Sequence, residues 1–166
     1  MTAAVPWESL EPGPIGEYVE VIDYDPASQN WYPPVNLEHP HLLAQDGLAP
    51  SEGTPQFHQQ MAYAVVSLTI ANFEHALGRR ALWSPRRVTE GSGTEEHYVQ
   101  RLRVYPHALR EANSYYDPEK KALLFGYFPA AGGGDGKCLP GGTVFCCLSH
   151  DVIAHETTHA LLDGMH

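Results

Sequence analysis

Paired cysteines, a cationic leader and long apolar runs are all missing from this 166-residue chain, and basic residues are scarce. Cys138, Cys146 and Cys147 are odd in number and crowded together, which is a poor disulfide framework and suits a reducing compartment. Adjacent cysteines also lack the two-residue spacing that lets thiolates converge on one ion, so they are expected to be buried, small and apolar in behaviour. The opening residues Met1-Thr2-Ala3-Ala4-Val5-Pro6-Trp7-Glu8 have neither a positive start nor an apolar stretch of signal-peptide length. No later run is long enough to span a bilayer, and the expectation is a soluble, cytoplasmic protein. Ten Lys and Arg against 20 Asp and Glu leave a formal charge of -10, which repels phosphate backbones and anionic lipid. Nucleic acid and membrane partners are thereby excluded from the expectation. The stretch 130–142 holds six glycines but no phosphate-loop lysine-serine pair, and reads as a flexible loop.

What is present suffices for a hydrophobic core, since 43% of the residues are apolar. Residues 1–53 are rich in Pro, Gly and acids and read as an extended arm, with one strand-like alternation from Glu17 to Tyr24. Thr54-Pro55 offers an N-cap and a first-turn proline, and Gly78 offers a stop, so a helix is expected over 55–77. Phe57, Met61, Ala64, Val65, Leu68, Ala71 and Phe73 lie near helical spacing, and Tyr63, Val66 and Ile70 widen the apolar face. The arginines that follow, Arg79, Arg80, Arg86 and Arg87, are expected to be solvated or ion-paired. Residues 99–105, 113–116 and 121–128 read as strands with a turn at Asp117-Pro118. The fold class expected is α+β: a twisted, mostly antiparallel sheet packed on the long helix and on a terminal helix over 150–163. Ser149 can cap that terminal helix, Asp151 suits its dipole, and Gly164 can end it.

The terminal helix carries the chemistry. His155 and His159 are four apart, so on a helix they stand one above the other and can offer two imidazole nitrogens to one ion. Glu156 follows the first of them, where a carboxylate can take a proton from water activated by the metal. A chain with 10 histidines and 20 acids can produce the pattern by chance. Its setting in a capped helix, with Val152, Ile153, Leu161 and Leu162 expected to face a core, raises it above that level.

The stretch Asp151-Val152-Ile153-Ala154-His155-Glu156-Thr157-Thr158-His159-Ala160-Leu161-Leu162-Asp163 resembles the active-site helix of the thermolysin-like metallopeptidases, within the gluzincin group. Asn113-Ser114-Tyr115-Tyr116 resembles that family's Asn-Ala-aromatic-aromatic edge strand, and Phe57-His58 resembles its counterpart on the long helix. The resemblance covers roughly residues 55–166 and implies that 54–166 is the N-terminal lobe of a metallopeptidase catalytic domain. It implies Zn2+ held by His155 and His159, Glu156 as general base, and a peptide or protein substrate. Asn113 would hydrogen-bond the substrate main chain, and Ser114, with Tyr115 and Tyr116, would pair with the peptide as an added strand. Asp151 resembles a calcium ligand of secreted members, but its place in a helix first turn favours a structural role.

The family's third ligand is a glutamate on a later helix, and none is found here, so a C-terminal part of the same polypeptide or a separate chain is expected to complete the site. His166 stands seven after His159, but Leu162 and Met165 occupy the positions where a metzincin has its glycine and third histidine. A competing expectation is a non-catalytic fragment or pseudo-peptidase that acts as an interaction or regulatory module. A third is a metal-free helix in which the two histidines are hydrogen-bonded separately.

Overall fold

The computed structural model describes residues 4–90, 93–130 and 141–165. Three helices occur among them: α1 (Pro40–Ala44), α2 (Pro55–Leu77) and α3 (His150–Asp163), the last preceded by a 3-10 turn at Cys146–Leu148. The strands are β1 (Val19–Val21), β2 (Tyr24–Asp25), β3 (Asn30–Trp31), β4 (Arg86–Glu90), β5 (Gly93–His97), β6 (Leu102–Leu109), β7 (Ser114–Asp117), β8 (Ala122–Pro129) and β9 (Thr143–Phe145). No described helix is long and apolar enough to cross a membrane. The glycine-rich segment expected to be a loop falls mostly on 131–140, outside the described residues, as do Cys138 and His166.

α2 begins and ends where its sequence signals stand. Thr54 is extended, Pro55 occupies the first turn, and Gly78 adopts the left-handed conformation at φ 67, with its N–H on the Glu74 carbonyl. Neither Thr54 nor Ser149 makes a side-chain capping bond, so both helices start on backbone geometry alone. The buried stripe of α2 runs through His58, Gln59, Ala62, Tyr63, Val65, Val66 and Ile70. It is turned from the expected face, for Phe57, Met61, Ala64, Leu68, Ala71 and Phe73 are only half-buried.

The main sheet is α+β in setting but mixed in direction, which corrects the expectation of a mostly antiparallel one. Its order is β1-β6-β8-β7, with β9 paired to the end of β8. β1 pairs parallel to β6, and β6 parallel to β8. β7 and β9 pair antiparallel to β8. The physical cause is that the β7–β8 hairpin folds back so that β8, the more apolar strand, enters between β6 and β7. β8 reads Ala-Leu-Leu-Phe-Gly-Tyr-Phe-Pro, and such continuous apolarity belongs to a strand covered on both faces. In the hairpin turn the Asp117 carboxylate accepts from the Glu119 and Lys120 N–H groups at 3.0 and 2.9 Å.

The core lies between this sheet and the two long helices. Val19, Val21, Leu102, Val104, Leu123 and Phe125 meet Val65, Val66 and Ile70 of α2 and Ile153, Ala160 and Leu161 of α3. Each large aliphatic or aromatic side chain fully buried there contributes about 1.5–3 kcal/mol. A hairpin of β4 and β5, wholly unforeseen, projects from 86 to 97 with its β5 residues exposed. Two of the arginines pair at the surface as expected, Arg80 with Glu17 at 2.7 Å and Arg87 with Glu96 at 3.0 Å, and Arg79 is exposed, whereas Arg86 is half-buried and donates to the Lys120 carbonyl at 3.0 Å.

Candidate metal centre on the terminal helix

Ile153, Thr157, Ala160 and Leu161 of α3 are buried, which turns His155 and His159 outward to the exposed side. The sequence expectation differs in two places. Val152 is half-buried but packs against the core as expected, whereas Leu162 is 45% exposed, and the histidines do not sit in a buried setting. Their presence is therefore not forced by a burial cost. Their geometry is more informative. The Nε2 atoms of His155 and His159 face each other at 3.1 Å, with the rings crossed at 85°. Two imidazoles at tetrahedral angles on one ion, each at about 2.05 Å, stand about 3.3 Å apart, so the pair fits a zinc ion after a shift of a few tenths of an ångström. Among the described residues no third ligating side chain joins them.

Glu156, between them in sequence, is buried at 8% exposure. Its Oε2 accepts from the main-chain N–H of Tyr116 at 3.2 Å, and Oε1 takes no donor among the described residues. Because this N–H is not spent on β8, antiparallel alternation leaves the main-chain groups of Ser114 and Tyr116 on the open edge of the sheet. Asn113 stands just before β7, exposed, with its Oδ1 accepting from the Ser114 N–H at 2.9 Å. Tyr115 pairs with Leu124 inside the ladder. The structure thus brings Glu156 to the edge strand through Tyr116, and places Asn113 and Ser114 along that same edge.

Tyr116 reaches α3 twice. Its phenol donates to Asp163 Oδ2 at 2.7 Å, and Lys121 Nζ donates to the same oxygen at 2.8 Å. Burial alone would raise the Asp163 carboxyl, but the bonds from Lys121 and Tyr116 hold it below its ordinary value. Burial, and then the bond to Asp163, push the Tyr116 phenol above the usual range.

No family model, curated protein or solved structure matches this chain. Its site is therefore read from its own geometry.

That geometry contains a second group the sequence did not announce. His58, His107 and Cys147, all buried, each place one ligating atom within 4.8 Å of the others and could hold a metal ion. His58 Nδ1 and His107 Nε2 are 2.8 Å apart. His107 Nδ1 meets Asp23 Oδ1 at 2.6 Å, and His58 Nε2 meets the Glu52 carbonyl at 3.0 Å. Burial, followed by the neighbouring His107, lowers the His58 pKa to about 4, and burial pushes the Cys147 thiol far above its usual range. Cys147 is buried as expected and Cys146 only half-buried, and Cys147 lies within ligating reach of His58 and His107 from other elements. His107 escaped notice because β6 breaks register between Tyr105 and Leu109, around Pro106, and both Pro106 and His107 are buried where simple alternation would expose one. One signal was available: His58 and Gln59 lie on a helix apolar on most sides, and buried polar groups there need partners.

Proposed function

We propose that this chain carries the zinc-binding and base-bearing half of a peptidase active site, of the kind found in the N-terminal lobe of thermolysin-like enzymes. The observation that carries the reading is the facing pair of Nε2 atoms 3.1 Å apart on His155 and His159, with Glu156 between them in sequence and tied to a sheet edge. A metal-free structural helix would be expected to bond the two histidines separately, and among the described residues they meet each other instead.

His155 and His159 would hold the ion, which supplies Lewis acidity for acidifying a water and polarising the scissile carbonyl. Glu156 would accept the water's proton at Oε1, the oxygen left without a donor among the described residues. The Tyr116 N–H keeps Oε2 in place, so the carboxylate has one orientation when the proton arrives. The main-chain edge at Ser114 pairs with an extended peptide as an added strand. Asn113 then exchanges its local bond to Ser114 for one to the substrate main chain. Two imidazoles leave coordination positions open, and a third ligand and an oxyanion donor come from a C-terminal part of the polypeptide or from a separate chain. Free Cys146 and Cys147 suit a reducing, cytoplasmic setting.

The test is zinc titration by calorimetry on the wild type, His159→Ala and Glu156→Gln. His159→Ala should lose one weakly held zinc while Glu156→Gln keeps it, because the base is not a ligand. When the completing part is supplied, wild type should hydrolyse peptide and Glu156→Gln should not. An unchanged zinc count in His159→Ala sinks the proposal.

A further inference from the structure

The buried group around His58 contains a hydrogen-bonding conflict that its own partners define. The Val35 N–H can only donate, and it donates to Gln59 Oε1 at 2.8 Å, so the amide of Gln59 is oriented with Nε2 toward Asp23 Oδ2 at 2.7 Å. Asp23 therefore accepts on that side, and as a carboxylate it accepts from His107 Nδ1 on the other. The Glu52 carbonyl can only accept, so His58 Nε2 carries the hydrogen. In neutral rings this leaves His107 Nε2 and His58 Nδ1 both bare, lone pair against lone pair at 2.8 Å. With Asp23 ionised, something positive must lie between them. It is a shared proton or a metal ion.

Two observations favour the ion. A shared proton has no use for a sulfur, yet Cys147 is fully buried beside the pair and belongs to the same ligating group. Both imidazoles also have their outer nitrogens held, one by a carboxylate and one by a main-chain carbonyl, which is how ligating histidines are oriented in metal sites. The surroundings are buried and aromatic: Phe145 lies 4.5 Å from the His58 ring and 5.5 Å from the His107 ring, and Tyr32 packs edge-on to His107 at 5.1 Å. A buried site must be nearly neutral. A divalent ion, one thiolate and the Asp23 carboxylate sum to zero charge.

We propose that His58, His107 and Cys147 form a structural site for a thiolate-accepting transition ion of the zinc class, with Asp23 and the Glu52 carbonyl orienting the imidazoles. It is separate from the exposed pair on α3 and holds whether or not that pair serves a peptidase. On binding, a metal–sulfur bond forms, and the Cys147 thiol proton and the proton between the rings leave to solvent, with no change of oxidation state. The rings need to part by about half an ångström to reach the separation of two nitrogens on one ion. The ion would join α2, β6 and the turn that leads directly into α3.

Cobalt(II) titrated into the 166-residue chain reads the site by its thiolate charge-transfer absorption in the near ultraviolet. The band is expected in wild type and in His155→Ala/His159→Ala, and is expected to vanish in Cys147→Ser. Should Cys147→Ser fail to fold, X-ray absorption on the zinc-loaded His155→Ala/His159→Ala variant decides, with one sulfur at about 2.3 Å beside nitrogens at about 2.0–2.1 Å. No band in wild type, a band that depends on His155 and His159, a band that survives in folded Cys147→Ser, or a zinc shell without sulfur each overturns the proposal. In those cases the buried rings share only a proton.

Discussion

Replacing Tyr116 by Phe separates two jobs that one residue performs. The variant keeps the ring and the main-chain N–H that holds Glu156, and loses only the hydroxyl on Asp163. A hydrogen bond to a charged group contributes about 1.5–3 kcal/mol. Lys121 still reaches the same oxygen at 2.8 Å, and the Asp163 side chain is 32% exposed, so water compensates part of the loss. The expected destabilisation is about 1–2 kcal/mol, or a melting-point drop of about 2–8 °C for a chain of this length. Urea unfolding at neutral pH measures it directly. The pH dependence adds a second check. Asp163 titrates below its ordinary 3.8 in the folded state, so its contribution is present above that value and is lost as pH falls through the lower folded value. The gap between wild type and Tyr116→Phe should therefore close on acidification. A gap below about 0.3 kcal/mol at neutral pH, or one that widens in acid, refutes the reasoning. Zinc uptake by His155 and His159 should be unaffected.

Gly126→Ala tests the edge strand, because an added Cβ would stand 2.2 Å from the Glu111 carbonyl oxygen and 2.5 Å from that of Asn113, both backbone atoms that cannot swing aside. The expected cost is about 3 kcal/mol or more, seen as a collapsed melting transition, and a melt like that of wild type would show that the loop at 111–113 yields freely. At alkaline pH, burial and the bond to Asp25 push the Tyr127 phenol up to about 12. Its folded pKa is raised, so the stability it contributes is full below pH 10 and declines as pH rises toward 12. Tyr127→Phe should flatten that part of the stability profile, and an unchanged slope measured by urea melts would contradict it.

Helix ends were legible because their determinants are local. Thr54-Pro55 with Gly78, and Ser149 with Gly164, bracket α2 and α3 at the residues observed. The histidine pair was legible for the same reason, since four residues on a helix is a short-range relation. The sheet order was not, because the parallel pairings of β6 with β1 and β8 depend on which strand finds cover on both faces. The β4–β5 hairpin lacked the apolar alternation that marks a half-buried strand. The buried cluster joins positions 23, 58, 107 and 147, and no spacing rule connects residues so far apart. Only the polarity of His58 and Gln59 on an apolar helix hinted that partners were waiting.

α3 is restrained at both ends, by the Cys146–Leu148 turn, with Cys147 buried in the core, before it and by Tyr116 and Lys121 gripping Asp163 at its close. Between those restraints the histidine face has little freedom to tilt or slide. On the proposed reading, any partner that closed over His155 and His159 would have to supply the motion itself, meeting a surface already set before contact.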